Sequence, residues 1–223
     1  MCGRFVGFRS VDELKGFFPI DRAACEAISN YNVAPSQEIL AIAKYEGENW
    51  LVKFHWGLVP FWAKDVSIGN RMINARSESI AEKISFRNAF KKRRCLIIAD
   101  GFYEWKGEKG RKQPMFITSP DHKPFAFAGL WETWKKDDQD STYKSCTIIT
   151  TQASESIRDI HHRMPVIIKP PSYEAWLDPG NQDLGELDRI LKNEVVTELV
   201  SYPVSKQVNS TRHNDPSCIE PVE

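Results

Sequence analysis

Arg94-Cys95-Leu96-Ile97-Ile98-Ala99-Asp100-Gly101-Phe102-Tyr103-Glu104-Trp105-Lys106 holds the apolar run Cys95 to Ala99, equalled in length only by Ile39 to Ala43, which has the length of a strand and not of a helix. Similar short runs rich in Ile, Val, Phe and Trp lie on either side of it: Glu38 to Ala43, Trp50 to Trp56, Pro114 to Thr118, Phe125 to Leu130, Ser145 to Thr151 and Val166 to Ile168. Helical signals are few. Ser10-Val11-Asp12-Glu13 is a capping box that opens a helix through Phe17, and Ser85 to Lys92 and Leu187 to Lys192 read as further short helices. Short strands parted by Gly and Pro, with no alternation of strand and helix, predict an α+β fold, a mainly antiparallel, barrel-like folded sheet with a few short peripheral helices. The 223 residues fit one domain, 1–223, because single cores reach roughly 200 to 250 residues before they divide.

Thirty Lys and Arg balance thirty Asp and Glu, which excludes a histone-like or tail-driven polyanion binder. The balance is uneven along the chain. Phe86 to Pro114 carries nine basic residues against three acids, and Pro171 to Val200 carries seven acids against two bases. Lys91-Lys92-Arg93-Arg94 is therefore either a solvated helix end or a phosphate-facing patch. No apolar run approaches the roughly 18 residues that span a bilayer, and Met1-Cys2-Gly3-Arg4 does not resemble a signal peptide, so a cytoplasmic protein with no membrane partner is expected. The five cysteines are widely spaced without CxxC or zinc spacing, so no disulfide framework, metal or cofactor is expected. Cys95 and Cys146 sit inside apolar runs as core residues.

Cys2 is different. Removal of Met1 would leave a free α-amine beside its own thiol, two nucleophiles that titrate near ~8 and ~8.5 and are both partly available at neutral pH. The amine can attack an aldehyde, and the thiol can close on the resulting imine to give a five-membered thiazolidine.

Five other segments carry chemistry. In Asn74-Ala75-Arg76-Ser77-Glu78 an amide, a guanidinium and a carboxylate recur every second residue, so in extended chain all three point one way; they either orient a substrate and pair with phosphate or form a turn with a structural Arg–Glu bridge. Glu104, between aromatics, is either desolvated, with the raised pKa that suits an acid/base group, or outward-facing on an edge strand. Of His161 and His162, adjacent residues that face opposite ways in a strand, at most one enters a given site. Tyr31-Asn32-Val33-Ala34-Pro35 and Trp56-Gly57-Leu58-Val59-Pro60-Phe61-Trp62 set aromatics on rigid loops, where Trp62 can stack on an unpaired base.

Taken in order, Met1-Cys2-Gly3-Arg4, Tyr31 to Pro35, Trp56 to Pro60, Asn74 to Glu78, Ala99 to Trp105 and Ile160-His161-His162-Arg163-Met164-Pro165 resemble the SRAP family of SOS response-associated peptidases and abasic-site processing proteins, from Cys2 nearly to Val222. The resemblance implies the SRAP fold and a covalent thiazolidine crosslink between Cys2 and an abasic site in single-stranded DNA, with AP-lyase activity and self-removal of Met1. It implies catalytic roles for Cys2, Asn74, which orients the amine or the sugar, Glu104, which shuttles protons, and His161, which assists sugar opening. It also implies DNA contacts from Arg4, Asn32, Pro35, Trp62, Arg76 and Arg163. His161 is preferred to His162 because the family pattern His, any residue, Arg puts Arg163 in register; Ser79 stands where Thr is frequent. The expected partner is single-stranded DNA bearing abasic sites, bound by a monomer in the cytoplasm, on the nucleoid when acting on DNA. Two other readings fit the same residues: an N-terminal-nucleophile cysteine peptidase or amidase, and a non-enzymatic single-strand binding module in which Cys2 is incidental.

Overall fold

The computed structural model describes residues 2–108, 110–135 and 142–222. Its strands, in chain order, begin with β1 (Phe5–Gly7), β2 (Arg22–Ala23), β3 (Asn30–Val33), β4 (Glu38–Tyr45), β5 (Glu48–Trp56), β6 (Asn74–Arg76) and β7 (Arg94–Ala99). They continue with β8 (Gly101–Lys106), β9 (Gln113–Thr118), β10 (Phe125–Lys135), β11 (Thr142–Gln152), β12 (Arg163–Pro165), β13 (Ile167–Ile168) and β14 (Val200–Pro203).

Five of these close on themselves. β11 pairs with β10, β10 with β7, β7 with β4 and β4 with β5, all antiparallel, and a short parallel pairing of Ser145 and Cys146 with His55 and Trp56 joins β5 back to β11. The barrel explains why β7 reads as an unbroken apolar run: all six of its residues are buried, because both faces of the strand are covered. Its side chains alternate between two cores. Cys95, Ile97 and Ala99 join Ala41, Phe127 and Ile148 inside the barrel, together with Cys2 and Phe5 from the start of the chain. Leu96 and Ile98 join Ile42, Ala126 and Leu130 on the outside, beneath the helices. At ~1.5–3 kcal/mol for each fully buried aliphatic or aromatic side chain, this alternation is the main stabilising term of the barrel.

An antiparallel sheet in the order β14-β9-β8-β1-β3 lies beside it, with Phe102 of β8 reaching into the inner core. β1 pairs with β8 through Phe5↔Phe102 and Val6↔Gly101, and the Tyr103 N–H donates to the Arg4 carbonyl at 2.9 Å. The chain start is thereby laid along β8.

The four helices among the described residues are short: α1 (Val11–Lys15), α2 (Arg87–Lys92), α3 (Tyr173–Leu177) and α4 (Leu184–Asn193). α1 has the expected capping box, with Ser10 and Glu13 bonded reciprocally, and ends before Phe17. α4 begins earlier than its apolar pattern suggests because Asp183 caps it, accepting from the N–H groups of Gly185 and Glu186. No helix among the described residues is long and apolar enough to cross a membrane.

The basic run 91–94 resolves into two parts. Arg94 is buried and donates to the carbonyls of Phe90, Lys91, Trp176, Asp178 and Asn181, gathering the ends of α2 and α3. Arg93 pairs with Glu132 at 2.6 Å. These two guanidinium groups are structural, which leaves Lys91 and Lys92 as the solvated end of the helix.

Candidate active site

Cys2 is fully buried at the edge of the inner core. Its backbone is gripped by β6: Asn74 Nδ2 donates to the Cys2 carbonyl oxygen at 2.7 Å. β6 is placed by a parallel pairing with β11, Asn74 opposite Ile148 and Arg76 opposite Thr150, so its position is set by the barrel and not by its own three residues. The other amide atom, Asn74 Oδ1, is buried without a hydrogen-bond partner among the described residues.

Glu104 comes from the neighbouring sheet. It lies on β8, between β9 and β1, and the β1–β8 register continued by two residues sets Gly3 opposite it. The outward-facing alternative is excluded: Glu104 is 4% exposed, and burial pushes its carboxyl up to about 7. Burial also raises the Cys2 thiol well above its ordinary value, the charge of Glu104 adds to that rise, and the Arg4 backbone N–H directed at the sulfur opposes it. Carboxyl and thiol are electrostatic neighbours, the charge of Glu104 favouring the proton-bearing form of the thiol.

His161 sits in the loop just before β12. Its Nδ1 accepts from the Arg163 N–H at 2.9 Å, which assigns the proton of the neutral ring to Nε2; the Arg163 carbonyl, 3.0 Å from the same nitrogen, accepts once the ring is protonated. Burial holds the imidazole below its usual pKa, and the nearby charges of His162 and Lys112 push in the same direction. His161 and His162 do not face opposite ways as expected. Their rings stack at 4.4 Å, because residues 161 and 162 precede the strand instead of belonging to it. His162 is exposed and His161 half-buried.

The alternation of Asn74, Arg76 and Glu78 holds only in part. β6 ends at Arg76, and Glu78 lies in the 3-10 turn Ser77–Ser79, from which its carboxylate pairs with the guanidinium of Arg163 through both nitrogens, at 2.5 and 3.0 Å. The expected Arg–Glu bridge exists, but with Arg163 and not Arg76. Arg163 also donates to the Thr150 carbonyl and is only 8% exposed, whereas Arg76 is exposed.

Arg4 and Asn32 are likewise engaged with protein. Arg4 donates to Asn32 Oδ1 at 2.6 Å and to the Val208 carbonyl, and the Asn32 amide donates to the carbonyls of Val208, Ser210 and His213. Asn32, 1% exposed, thus ties the C-terminal segment to β3 and fixes Arg4. Pro35 lies in a tight turn whose next residue, Ser36, has φ +69° and bonds to Asn70 at 3.1 Å. Trp62 is 45% exposed on the loop between β5 and β6.

Lys112, at the end of the β8–β9 hairpin, was not singled out by the sequence. Its positive charge lowers the pKa of both Glu104 and His161, so one exposed cation serves the two groups in common. Its only prior signal is membership of the basic stretch 86–114. Among the described residues no cluster of His, Cys, Asp and Glu has the makings of a metal site.

The closed barrel thus carries Cys2 at the edge of its inner core, held by the Asn74 amide of β6, with the buried carboxyl group of Glu104 on the neighbouring sheet. The chain belongs to the SOS response associated peptidase (SRAP) family, whose model matches residues 1–211. It is 45% identical over 223 residues to the abasic site processing protein YoqW of Bacillus subtilis, covering 99% of both chains. It is 33% identical over 199 residues to the abasic site processing protein HMCES of Gallus gallus, covering 79% of this chain and 59% of that one. Among solved structures, a crystal structure of a Bacteroides thetaiotaomicron protein shares the fold with a TM-score of 0.79 at 26% identity, over 97% of this chain and 92% of that one.

Proposed function

We propose that the protein captures abasic sites in single-stranded DNA by covalent bonding to Cys2, acting as a monomer in the cytoplasm. The observation that carries this reading is the Asn74–Cys2 hydrogen bond beside a buried, proton-holding Glu104. The names of the relatives, abasic site processing proteins, support the substrate.

The reaction requires Met1 to be removed; Met1 lies outside the described residues, and its self-removal is the sense in which we read the family's peptidase name. The freed Cys2 amine attacks C1′ of the ring-opened sugar, and loss of one water gives an imine. The thiol then adds its sulfur to the imine carbon, while its proton passes to the nitrogen, leaving a thiazolidine. A thiol held in its protonated form by burial suits this order, with the amine first and sulfur second, better than an amidase mechanism that begins from a thiolate. Glu104, with a pKa near neutrality, takes the thiol proton and returns it to nitrogen. Asn74 holds residue 2 through its Nδ2, and its Oδ1 is available to accept from the new amine.

His161 donates through Nε2–H to the sugar ring oxygen as the hemiacetal opens. Before ring closure the imine also acidifies C2′–H; removal of that proton with cleavage of the C3′–O bond is the lyase step, which competes with thiazolidine formation. Arg76 contacts a flanking phosphate, Trp62 stacks on a base, and Pro35 shapes the same surface. Arg4, Asn32 and Arg163 act through the groups they hold: Arg4 and Asn32 through the N-terminal segment, Arg163 through His161.

The test is a single-stranded oligonucleotide with one abasic site, mixed with protein and run on a denaturing gel. A heat-stable, slower band that vanishes with Cys2→Ala supports the reading; no band with wild-type protein, or a band with Cys2→Ala, overturns it.

A further inference from the structure

The backbones of His161 and His162 are anchored at both ends of their turn. The His161 N–H donates to the Ile157 carbonyl at 3.2 Å, and the His162 carbonyl accepts from the Ala153 N–H at 3.0 Å. Ile157 is 1% exposed and belongs to the inner core, and Ala153 directly follows β11. Both imidazoles thereby come to one side of the chain, where their rings lie 4.4 Å apart and 21° from parallel.

The His161 ring is acted on from several directions. The Arg163 N–H reaches its Nδ1 at 2.9 Å and sets the tautomer, while the Arg163 guanidinium is engaged by Glu78. The His162 ring covers one face. Burial is the largest influence against a charged His161; the amino terminus of the chain, His162, and Lys112 on the β8–β9 hairpin add positive charge that acts in the same direction. A proton added at Nδ1 would replace the bond from the Arg163 N–H by one to the Arg163 carbonyl, 3.0 Å away. The neutral ring and the orientation that Arg163 gives it are therefore one state. Stacked imidazoles support that state twice, because ring contact restrains the plane and a proton on either ring opposes one on the other.

We propose that His162 is a positioning residue for His161: its ring braces the plane from which Nε2–H is presented to the sugar oxygen, and its charge keeps the His161 ring neutral. This rests on the role given above to His161, and it extends the site to a side chain that touches no reacting atom.

Side-chain nitrogen NMR of the histidines, with crosslinking rates followed from about pH 5.5 to 8, tests the pair. His162→Phe keeps a ring on His161 and removes the charge, whereas His162→Ala removes both. In His162→Phe the titration midpoint of His161 should rise, and the acid limb of the crosslinking profile should move to higher pH with it, since the like charge that opposed protonation is gone. Its rate at about pH 7.5 should stay within about twofold of wild type, because the ring contact remains. His162→Ala should crosslink about threefold to tenfold more slowly there, the worth of one ring contact. Both variants should melt with the wild type, since His162 is exposed. An unmoved His161 midpoint in His162→Phe, or a wild-type rate in His162→Ala, overturns the inference. So does a loss of rate that comes with a lower melting temperature and is not restored by Phe. A raised midpoint in His162→Phe, alongside wild-type protein that forms no crosslink with an abasic oligonucleotide, would support the pairing while refuting the Cys2 chemistry.

Discussion

Asn74 and Cys2 stand 72 positions apart in the chain, and Asn74 Nδ2 lies 2.7 Å from the Cys2 carbonyl oxygen. That bond fastens the start of the chain to β6, whose own place is fixed by β11. Asn74→Ala should leave the fold intact at a cost of about 1 kcal/mol, the net value of one hydrogen bond. Crosslinking to an abasic oligonucleotide should slow by about tenfold to a hundredfold, because the nucleophile loses its orientation. Single-turnover crosslinking rates and a thermal melt, read together, check this; equal rates in the two proteins would remove Asn74 from the site.

Glu104 gives a pH dependence whose sign follows from burial. In the fold its carboxyl holds a proton up to about pH 7, against 4.5 ordinarily. The penalty for ionising it is absent below about pH 4.5, grows between the two values and is complete above about pH 7, with a size on the order of 3 kcal/mol. Glu104→Gln removes that penalty, so its stability relative to wild type should rise as pH increases through this window. Urea midpoints at pH 4.5 and 7.5 measure it, and parallel shifts at both values would contradict it. The same variant should lose the inflection near pH 7 in crosslinking rate.

Two arginines that look alike in the sequence should separate in experiment. Arg163, paired with Glu78 and the Thr150 carbonyl, is a structural neighbour of His161, whereas Arg76 is exposed. Glu78→Ala should cost about 1–3 kcal/mol by leaving Arg163 without its carboxylate, and lower the melting temperature by several degrees. Arg76→Ala should leave the melt unchanged and flatten the salt dependence of oligonucleotide binding by roughly 0.7. The reverse pattern would exchange their roles.

Gly57 tests the support of the Trp62 loop. A side chain there meets both a left-handed φ of +135° and the Gly69 carbonyl, which a Cβ would approach to 2.7 Å. Gly57→Ala should cost more than about 2 kcal/mol, because the strain and the clash fall on backbone that cannot move aside. A thermal melt within a degree of wild type would show the loop to be looser than described.

These residues also show what the sequence could and could not disclose. β7 was legible because burial on both faces leaves no polar position to break the run, and α1 because its capping box is local. β1, β2, β3, β6, β8, β12 and β14 were missed as strands. All but β8 are two to four residues long, and what holds β6 extended is the edge of another strand far along the chain, with Asn74 opposite Ile148. For the same reason Arg94 read as part of a surface patch, since its five carbonyl partners come from α2 and from the segment 176–181. Glu104 was read with its two environments open, and only the central place of β8 in its sheet decides between them. Glu78 was grouped with Arg76 by spacing, but the strand stops one residue after Ala75, and the carboxylate turned to Arg163 instead.

The chemical claim is most directly tested by mass spectrometry of the N-terminal peptide after reaction with an abasic oligonucleotide and nuclease digestion. The account requires a mature peptide beginning at Cys2 whose mass has gained the sugar aldehyde less one water, with a thiol that no longer accepts an alkylating agent because sulfur and nitrogen are both in the ring. An adduct on any other residue, or a Cys2 adduct whose thiol still alkylates, would contradict it.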